Sequence, residues 1–591
     1  MQVESEKAEL LWKNLRLASK GLGGARNTIL KGVSGVIEPS TMTALMGTSG
    51  AGKSSLMNSL AGRISSDMDL SGEIFLNSCQ RSKNSWGNFI GYVEQEFHAY
   101  EYQTVYETLL FSSKIKIKSE GEEQKVKNRI EEIIALLGLS NSKNKYIANL
   151  SGGERKRVSI GVELLGNPPI LFCDEPTSGL DSFNALNILS LLRDLSKMGK
   201  TILVTIHQPS YEMMNFFDKF ILMTMGNIVY DGDIKSCIAF FEECGYRLPE
   251  LTNPMDFFLK TISLDTRTKD KEEKSLRTIS HITNEWRKKK KNLEAKLHEE
   301  VRGKSSENKL SLGFLLLLNR NLKNYIRNIN YLKVKAFQKI FFMVVFGFAF
   351  LNIGYSVESI YTRLGGITFI LTNTVFGICN PIFSIFPYER KVILRERRSG
   401  MYSGVTAFMA KYCSEILMNF IIEEPYVVII YWMMGLNSDL KTFLTFLAIT
   451  NSLILFSIAY SLAIGAMTSS QSNSQVFGPM GLLVFLIYSG SFNNPNTIPE
   501  YLRWMVWLSP MYYAVKASFQ NQLNGVVFES SYARTTGEEQ IKLRGLDGTG
   551  IQACILMLIV MTFFFLVSGA LALHYGTENN MKVVTSDEEE V

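Results

Sequence analysis

From Ser311 onward the chain is dominated by six apolar stretches, at residues 334–354, 364–387, 410–435, 443–467, 475–492 and 551–574. Each is close to the ~20 residues an α-helix needs to cross a ~30 Å hydrocarbon core. Core helices of soluble proteins rarely stay so apolar for so long, so this half is expected to be an all-α polytopic transmembrane domain of six helices, residues 333–591. The first stretch has two lysines near its start and then runs unbroken from Ile340 to Leu351. The third contains Lys411, Glu415, Glu423 and Glu424, so part of that helix must face protein, a cavity or the interface.

The preceding half has a different character, which the averages of 46% apolar and 20% charged residues conceal. Strand patterns at Leu11–Leu17, Val33–Ile37, Met42–Met46, Ile170–Cys173, Thr201–Ile206 and Phe220–Val229 alternate with helical stretches, including an amphipathic one from Glu122 to Leu137. That alternation predicts an α/β domain over residues 1–262. Residues 263–310 are charged and poor in aromatics and read as a linker with helical stretches; residues 311–332 read as an amphipathic connecting helix. A net charge of +6 is mild for 591 residues and gives no basic domain, so no nucleic-acid partner is expected. The one cluster, Arg287–Lys291, reads as a solvated helix face or a membrane-surface contact. The seven cysteines are scattered, with neither a CxxC nor a nearby histidine at metal spacing. The polar, acidic start leaves membrane targeting to the internal apolar segments, with no cleavable signal peptide expected.

Loop charge sets an expected orientation. Arg320, Lys323, Arg327, Lys333 and Lys335 lie around the start of the first segment, and Arg390, Lys391, Arg395, Arg397, Arg398 and Lys411 lie between the second and third. The loop Tyr355–Arg363 has one basic residue. Positive-inside logic puts the N-terminal domain and both termini in the cytosol of a plasma or an internal membrane, and residues 493–550 outside. Trp504, Trp507, Tyr512 and Tyr513 suggest that the first half of that outer segment lies at the membrane interface.

The chemistry begins with Gly47-Thr48-Ser49-Gly50-Ala51-Gly52-Lys53-Ser54, followed by Ser55, between an apolar strand and a helical stretch. This is a P-loop in its required context. Glycines let main-chain N–H groups wrap phosphates, and the helix N-terminus adds favourable potential. Lys53 is expected on the β/γ-phosphates of ATP and Ser54 on Mg²⁺.

Further along, Leu150-Ser151-Gly152-Gly153-Glu154-Arg155-Lys156-Arg157 resembles the signature motif of ABC ATPases, which presents main chain and a serine hydroxyl to a γ-phosphate. Ile170–Glu175 resembles their Walker B strand, with Asp174 holding Mg²⁺ and Glu175 orienting the attacking water. Ser178-Gly179-Leu180-Asp181 is similar to the D-loop, His207 stands where the family places its γ-phosphate-sensing switch histidine, and Gln95 where its Q-loop glutamine contacts Mg²⁺. Together these parts make a complete phosphoryl-transfer set. An ATPase domain ahead of the membrane domain, Ile206-His207-Gln208-Pro209-Ser210, Asn253–Phe257, the basic stretch Tyr388–Tyr402 and Trp504–Tyr513 resemble the G subfamily of ABC transporters, the White/Brown type of half-transporter. Three features depart from that pattern. Only Glu96 follows Gln95 where relatives often carry more acids, Leu17 stands where an aromatic would stack on adenine, and the outer segment lacks cysteine.

The resemblance implies an ATP hydrolase coupled to transport. It also implies a composite site, with the P-loop of one chain facing the signature of another, hence a homodimer or a heterodimer with a related half-transporter. Coupling would run from Gln95 to Leu312–Arg327 and Tyr388–Tyr402. By analogy the second and fifth membrane segments line the cavity, with Asn373, Phe376, Leu483 and Leu486 as lining residues and Phe492 as an outer apolar gate. A mostly apolar lining favours membrane lipids, sterols or small amphipathic organic molecules as substrate. The alternative is a membrane-anchored ABC ATPase that regulates a partner protein without transporting anything itself.

Overall fold

Strands buried on both faces read as continuous apolar runs, and four such runs form the centre of the N-terminal unit in this computed structural model. The structure describes residues 8–20, 26–64, 68–77, 79–81, 89–116, 123–250, 252–289, 310–530 and 534–578. The strands are β1 (Leu10–Lys20), β2 (Arg26–Ile37), β3 (Met42–Gly47), β4 (Met68–Leu76), β5 (Cys79–Gln80), β6 (Ile90–Val93), β7 (Ile170–Cys173), β8 (Thr201–Thr205), β9 (Lys219–Thr224) and β10 (Asn227–Gly232). Every residue of β3, β6, β7 and β8 is buried. They belong to a six-stranded sheet of order β10-β9-β3-β8-β7-β6, parallel except for the β9–β10 pair. An antiparallel sheet of order β2-β1-β4-β5 accompanies it. Trp12, Leu15, Leu30, Leu45, Leu56 and Phe172 share one core drawn from both sheets.

Two expectations for this unit change. Residues Phe220–Val229 are not one strand but most of the β9–β10 hairpin. Met225 and Gly226 turn the chain with φ of 47° and 78°, the left-handed pair that a two-residue hairpin requires. The charged stretch after Ser263, read as a linker with helical stretches, holds a packed helix, Lys269–Lys289, among its described residues. Its Ile279 and Ile282 are buried, and Trp286 sits 5.0 Å from the ring of Tyr230 and 5.4 Å from that of Phe240. Charge on the other face hides this stripe in the composition. Arg287 donates to Asn227 Oδ1, and Lys288 and Lys289 pair with Glu285 and Glu243, which makes the basic run a solvated helix face. Lys290 and Lys291 lie outside the described residues.

The second unit comprises residues 309–397 and 402–576. Helices occupy all six expected places, and four are long and apolar enough to cross a membrane: Ser359–Arg398, Gly404–Met433, Leu440–Met467 and Ile551–Gly576. The helix at the first place, Ile329–Ala349, carries Lys333, Lys335 and Lys339 in its first half, and that at the fifth, Gln471–Ile487, has only 17 residues. The amphipathic helix Leu310–Arg327 ends just before the first of these, where Asn328 caps the next helix. The helix Ser359–Arg398 has 40 residues and absorbs most of what read as a basic loop. Side-chain pairing explains the difference: Arg320 meets Glu396 through two bonds of 2.8 and 2.9 Å, so part of the apparent loop charge is buried. The described residues of 493–550 also form helices and a short strand pair. The helix Pro510–Leu523 is buried along almost its whole length, Tyr512 and Tyr513 included, while Trp504 and Trp507 are exposed.

The charges of the third segment find partners inside this unit. Lys411 pairs with Glu389 at 2.6 Å and Glu415 at 2.9 Å. Lys335 donates to Asn419 at 2.5 Å, and Lys339 pairs with Glu423 at 2.7 Å. A side chain at Gly377 would place its Cβ 2.7 Å from Lys339 Nζ, so glycine there makes room for the ammonium. Removing one partner leaves the other charge buried and unpaired. Lys339→Met should therefore destabilise the detergent-solubilised protein by about 3–5 kcal/mol, seen as a lowered unfolding midpoint, and Lys339→Met/Glu423→Gln should recover part of the loss.

Candidate active site

Four parallel strands end side by side, and each delivers a functional segment from its carboxyl end. β3 leads into the P-loop, β8 towards His207, β7 into Asp174 and Glu175, and β6 into Glu94 and Gln95. Register aligns these ends: Leu45 lies opposite Thr205, Cys173 opposite Val204, and Val93 opposite Cys173. The crevice outside the carboxyl ends of parallel strands is where open α/β sheets bind ligands.

The P-loop is built for an anion. A Cβ on Gly47 would lie 2.3 Å from the carbonyl oxygen of Met223, so only glycine fits. Gly50 and Gly52 hold φ of 76° and 96°, a left-handed conformation that glycine adopts without cost. Thr48 is half-buried, Ser49 exposed, and Ala51 buried with its N–H donating to Thr48 O. Gly52 begins the helix Lys53–Ala61, which has no side-chain cap. The first-turn N–H groups of Lys53, Ser54 and Ser55 therefore lack intrahelical acceptors and suit phosphate oxygens. Lys53 Nζ donates to Gly47 O at 2.7 Å and Thr48 O at 3.1 Å. Burial holds this ammonium below the ordinary lysine range, an effect partly offset by the nearby Glu175 and Asp174 charges.

Opposite the P-loop stand the acids. Asp174 Oδ1 accepts from Thr205 Oγ1 at 2.6 Å, and Tyr92 OH lies 3.4 Å from Oδ2. Glu175 adopts φ 44°, a strained value for a non-glycine residue, and its N–H donates to the same Thr205 Oγ1 at 2.7 Å. Gln95 Nε2, expected beside the metal, donates to Glu175 Oε2 at 2.8 Å. Among the described residues no group of three or more His, Cys, Asp or Glu could hold a metal ion by itself. The donors here are one oriented carboxylate, Asp174, and the exposed Ser54 hydroxyl. That sparse oxygen set suits Mg²⁺, which takes one or two protein ligands plus phosphate oxygens and water.

The signature residues form a second, separate face. Ser151 and Glu154 close a capping box on the helix Gly152–Leu164. Glu154 also accepts from Ser142 Oγ, which keeps its carboxyl below the usual range. Asp181 caps the helix Ser182–Lys197 by accepting from the N–H of Asn184 at 2.9 Å. A Cβ on Gly153 would approach Asn184 Oδ1 to 3.1 Å, so the signature and D-loop lie together. Among the described residues no hydrogen bond or ion pair joins residues 47–55 to residues 151–154. His207 is exposed just beyond β8. The cavity residues of the second unit separate: Leu483 and Phe492 are exposed, Phe376 and Leu486 half-buried. Asn373 is buried and accepts from Lys339 at 3.1 Å.

Thr205 escapes a reading of the sequence, although it is a polar residue closing an apolar strand. Its one hydroxyl orients Asp174 and fixes the main chain of Glu175. Losing both bonds should cost about 1.5–3 kcal/mol of positioning. Thr205→Val is therefore expected to lower kcat for ATP hydrolysis about 10- to 100-fold, with ATP binding nearly unchanged in a filter or fluorescence assay.

Comparison with known proteins agrees with this geometry. Residues 30–178 match the ABC transporter family, and residues 207–313 and 313–523 match two ABC-2 type transporter families. Protein white of Drosophila melanogaster is 30% identical over 534 residues, covering 86% of this chain and 78% of that protein. ABC transporter G family member 21 of Arabidopsis thaliana is 31% identical, covering 83% and 76%. The broad substrate specificity ATP-binding cassette transporter ABCG2 of Bos taurus is 30% identical, covering 88% and 85%. With an ATPase domain first and an apolar helical membrane domain after it, the chain belongs to the G subfamily of ABC transporters, integral membrane proteins that couple ATP hydrolysis to transport.

Proposed function

We propose that this chain works as half of a dimeric exporter or flippase, with itself or a related half-transporter as partner, and moves lipids, sterols or other amphipathic organic molecules. The observation that carries the reading is the separation of two complete faces in one chain. The P-loop face has its phosphate donors, and the signature face has its capped helix, yet residues 47–55 and 151–154 share no hydrogen bond or ion pair among the described residues. A second chain would bring a signature to each P-loop. Two competent sites follow for a homodimer.

In each site Ser54 and Asp174 would hold Mg²⁺, with Gln95 close by, and the ion would supply charge neutralisation at the phosphates. The first-turn N–H groups and Lys53 bind the triphosphate. Glu175, held by Thr205 and Gln95, orients water for in-line attack, and His207 reaches the γ-phosphate from the end of β8. The ATPase domain and both termini lie in the cytosol on this reading, supported by Lys323, Arg327 and Lys333 before the membrane core. The substrate path is carried by apolar residues, Phe376, Leu483 and Leu486, with Phe492 towards the outer end. Apolar lining suits amphipathic molecules, and the bovine relative named for broad substrate specificity supports that breadth.

Three measurements check this. Glu175→Gln should abolish ATP turnover while keeping ATP binding, and substantial residual hydrolysis would refute the role of that acid. For the pairing, Lys53→Met and Ser151→Ala chains should each be inactive alone. Co-reconstituted, they should regain activity, because the intact P-loop of one then meets the intact signature of the other. No recovery would exclude the homodimer. In proteoliposomes the wild type should build an ATP-dependent gradient of a fluorescent lipid or sterol.

A further inference from the structure

Lys156 lies on the helix Gly152–Leu164, two residues beyond the signature serine, glycines and glutamate, and is 7% exposed. Its Nζ reaches three main-chain oxygens: Gln95 O at 2.5 Å, Glu175 O at 3.4 Å and Glu94 O at 3.5 Å. An ammonium has three donors, and here each faces a carbonyl. No carboxylate lies within ion-pair distance among the described residues. Lysine is almost never buried this far unless paired, and burial holds the group below its ordinary range, partly offset by the Asp174 and Glu175 charges. Two of these carbonyls belong to Gln95 and Glu175, whose side chains also meet through Gln95 Nε2 and Glu175 Oε2.

We infer that Lys156 is a positioning residue for hydrolysis, tying the signature helix to the main chain of Gln95 and Glu175 so that the signature face and the hydrolytic acid of one chain move together. On the two-chain reading above, on which this consequence rests, the signature that receives the partner's nucleotide is thereby linked to the acid that serves the chain's own nucleotide. Neighbouring Arg155 has no such role, since its guanidinium bonds Ala148 O at the protein surface.

The test uses the full-length protein in lipid nanodiscs. Lys156→Met keeps the stem and removes the donors. It should lower kcat at least tenfold while KM for ATP, the affinity for a fluorescent ATP analogue and the melting midpoint stay close to wild type. Lys156→Arg, which restores charged donors, should recover much of the loss. A kcat within twofold of wild type in Lys156→Met overturns the proposal, and so does a loss matched by equal weakening of nucleotide binding. Should the methionine variant fail to fold, Lys156→Gln replaces the ammonium by a shorter, uncharged amide with two N–H donors and decides the matter: reduced kcat at unchanged KM supports the proposal, wild-type kcat overturns it. In the mixed-chain assay the loss should follow the Ser151→Ala chain, which carries the working P-loop, Gln95 and Glu175. Loss only on the Lys53→Met chain overturns the proposal, whereas absence of any recovery in the parent mixture counts against the homodimer alone and leaves the kcat measurement standing.

Discussion

The in-register alignment of β3, β8, β7 and β6 is the constraint on which the catalytic arrangement depends. Parallel pairing at near-fixed register brings four carboxyl ends to one level. Groups from 30 to 82 residues apart in the chain then meet within single hydrogen bonds. Thr205 shows how tight the alignment is, because its hydroxyl touches both Asp174 and the N–H of Glu175. A slip of one residue in β8 would turn that hydroxyl to the opposite face of the sheet. The positive φ of Glu175 is sustained by the same bond, so local strain at the acid is held by a strand neighbour rather than by its own turn.

A different constraint governs the helical unit. Its charged side chains cannot be left unpaired in an apolar surrounding, because each would cost several kcal/mol. They are therefore drawn together: lysines of the helix Ile329–Ala349 meet an acid and amides of Gly404–Met433 and Ser359–Arg398, and Lys411 of Gly404–Met433 meets Glu389. Gly377 is the steric counterpart, a gap shaped for an ammonium.

Where the sequence reading and the structure diverge, pairing across the fold is the usual reason. The basic stretch after the second membrane segment looked like a loop because charge and loop go together on average. Arg320, from another helix, pairs with Glu396, and the helix Ser359–Arg398 continues through the charged residues. The helix Lys269–Lys289 looked like linker because its polar face dominates composition, while Ile279, Ile282 and Trp286 form a narrow stripe on the other side. Asn373 accepts from Lys339, 34 residues away in the chain, a contact that no local pattern shows. The helix Pro510–Leu523 is buried by neighbours that a local pattern cannot reveal.

By itself the sequence determined the parts: a P-loop before a helix, acids at the end of an apolar strand, a serine–glycine–glycine–glutamate helix start, and apolar stretches of membrane-spanning length. Each is a local pattern in which residue type and spacing carry the physics, whether phosphate cradling, capping or hydrocarbon solubility. The tertiary structure alone decided the company each part keeps. It set Gln95 on Glu175, Thr205 between two acids, Lys156 on three carbonyls, and the membrane lysines on their glutamates and asparagines. Such contacts depend on register and packing between segments far apart in the chain, and no window of neighbouring residues contains that information.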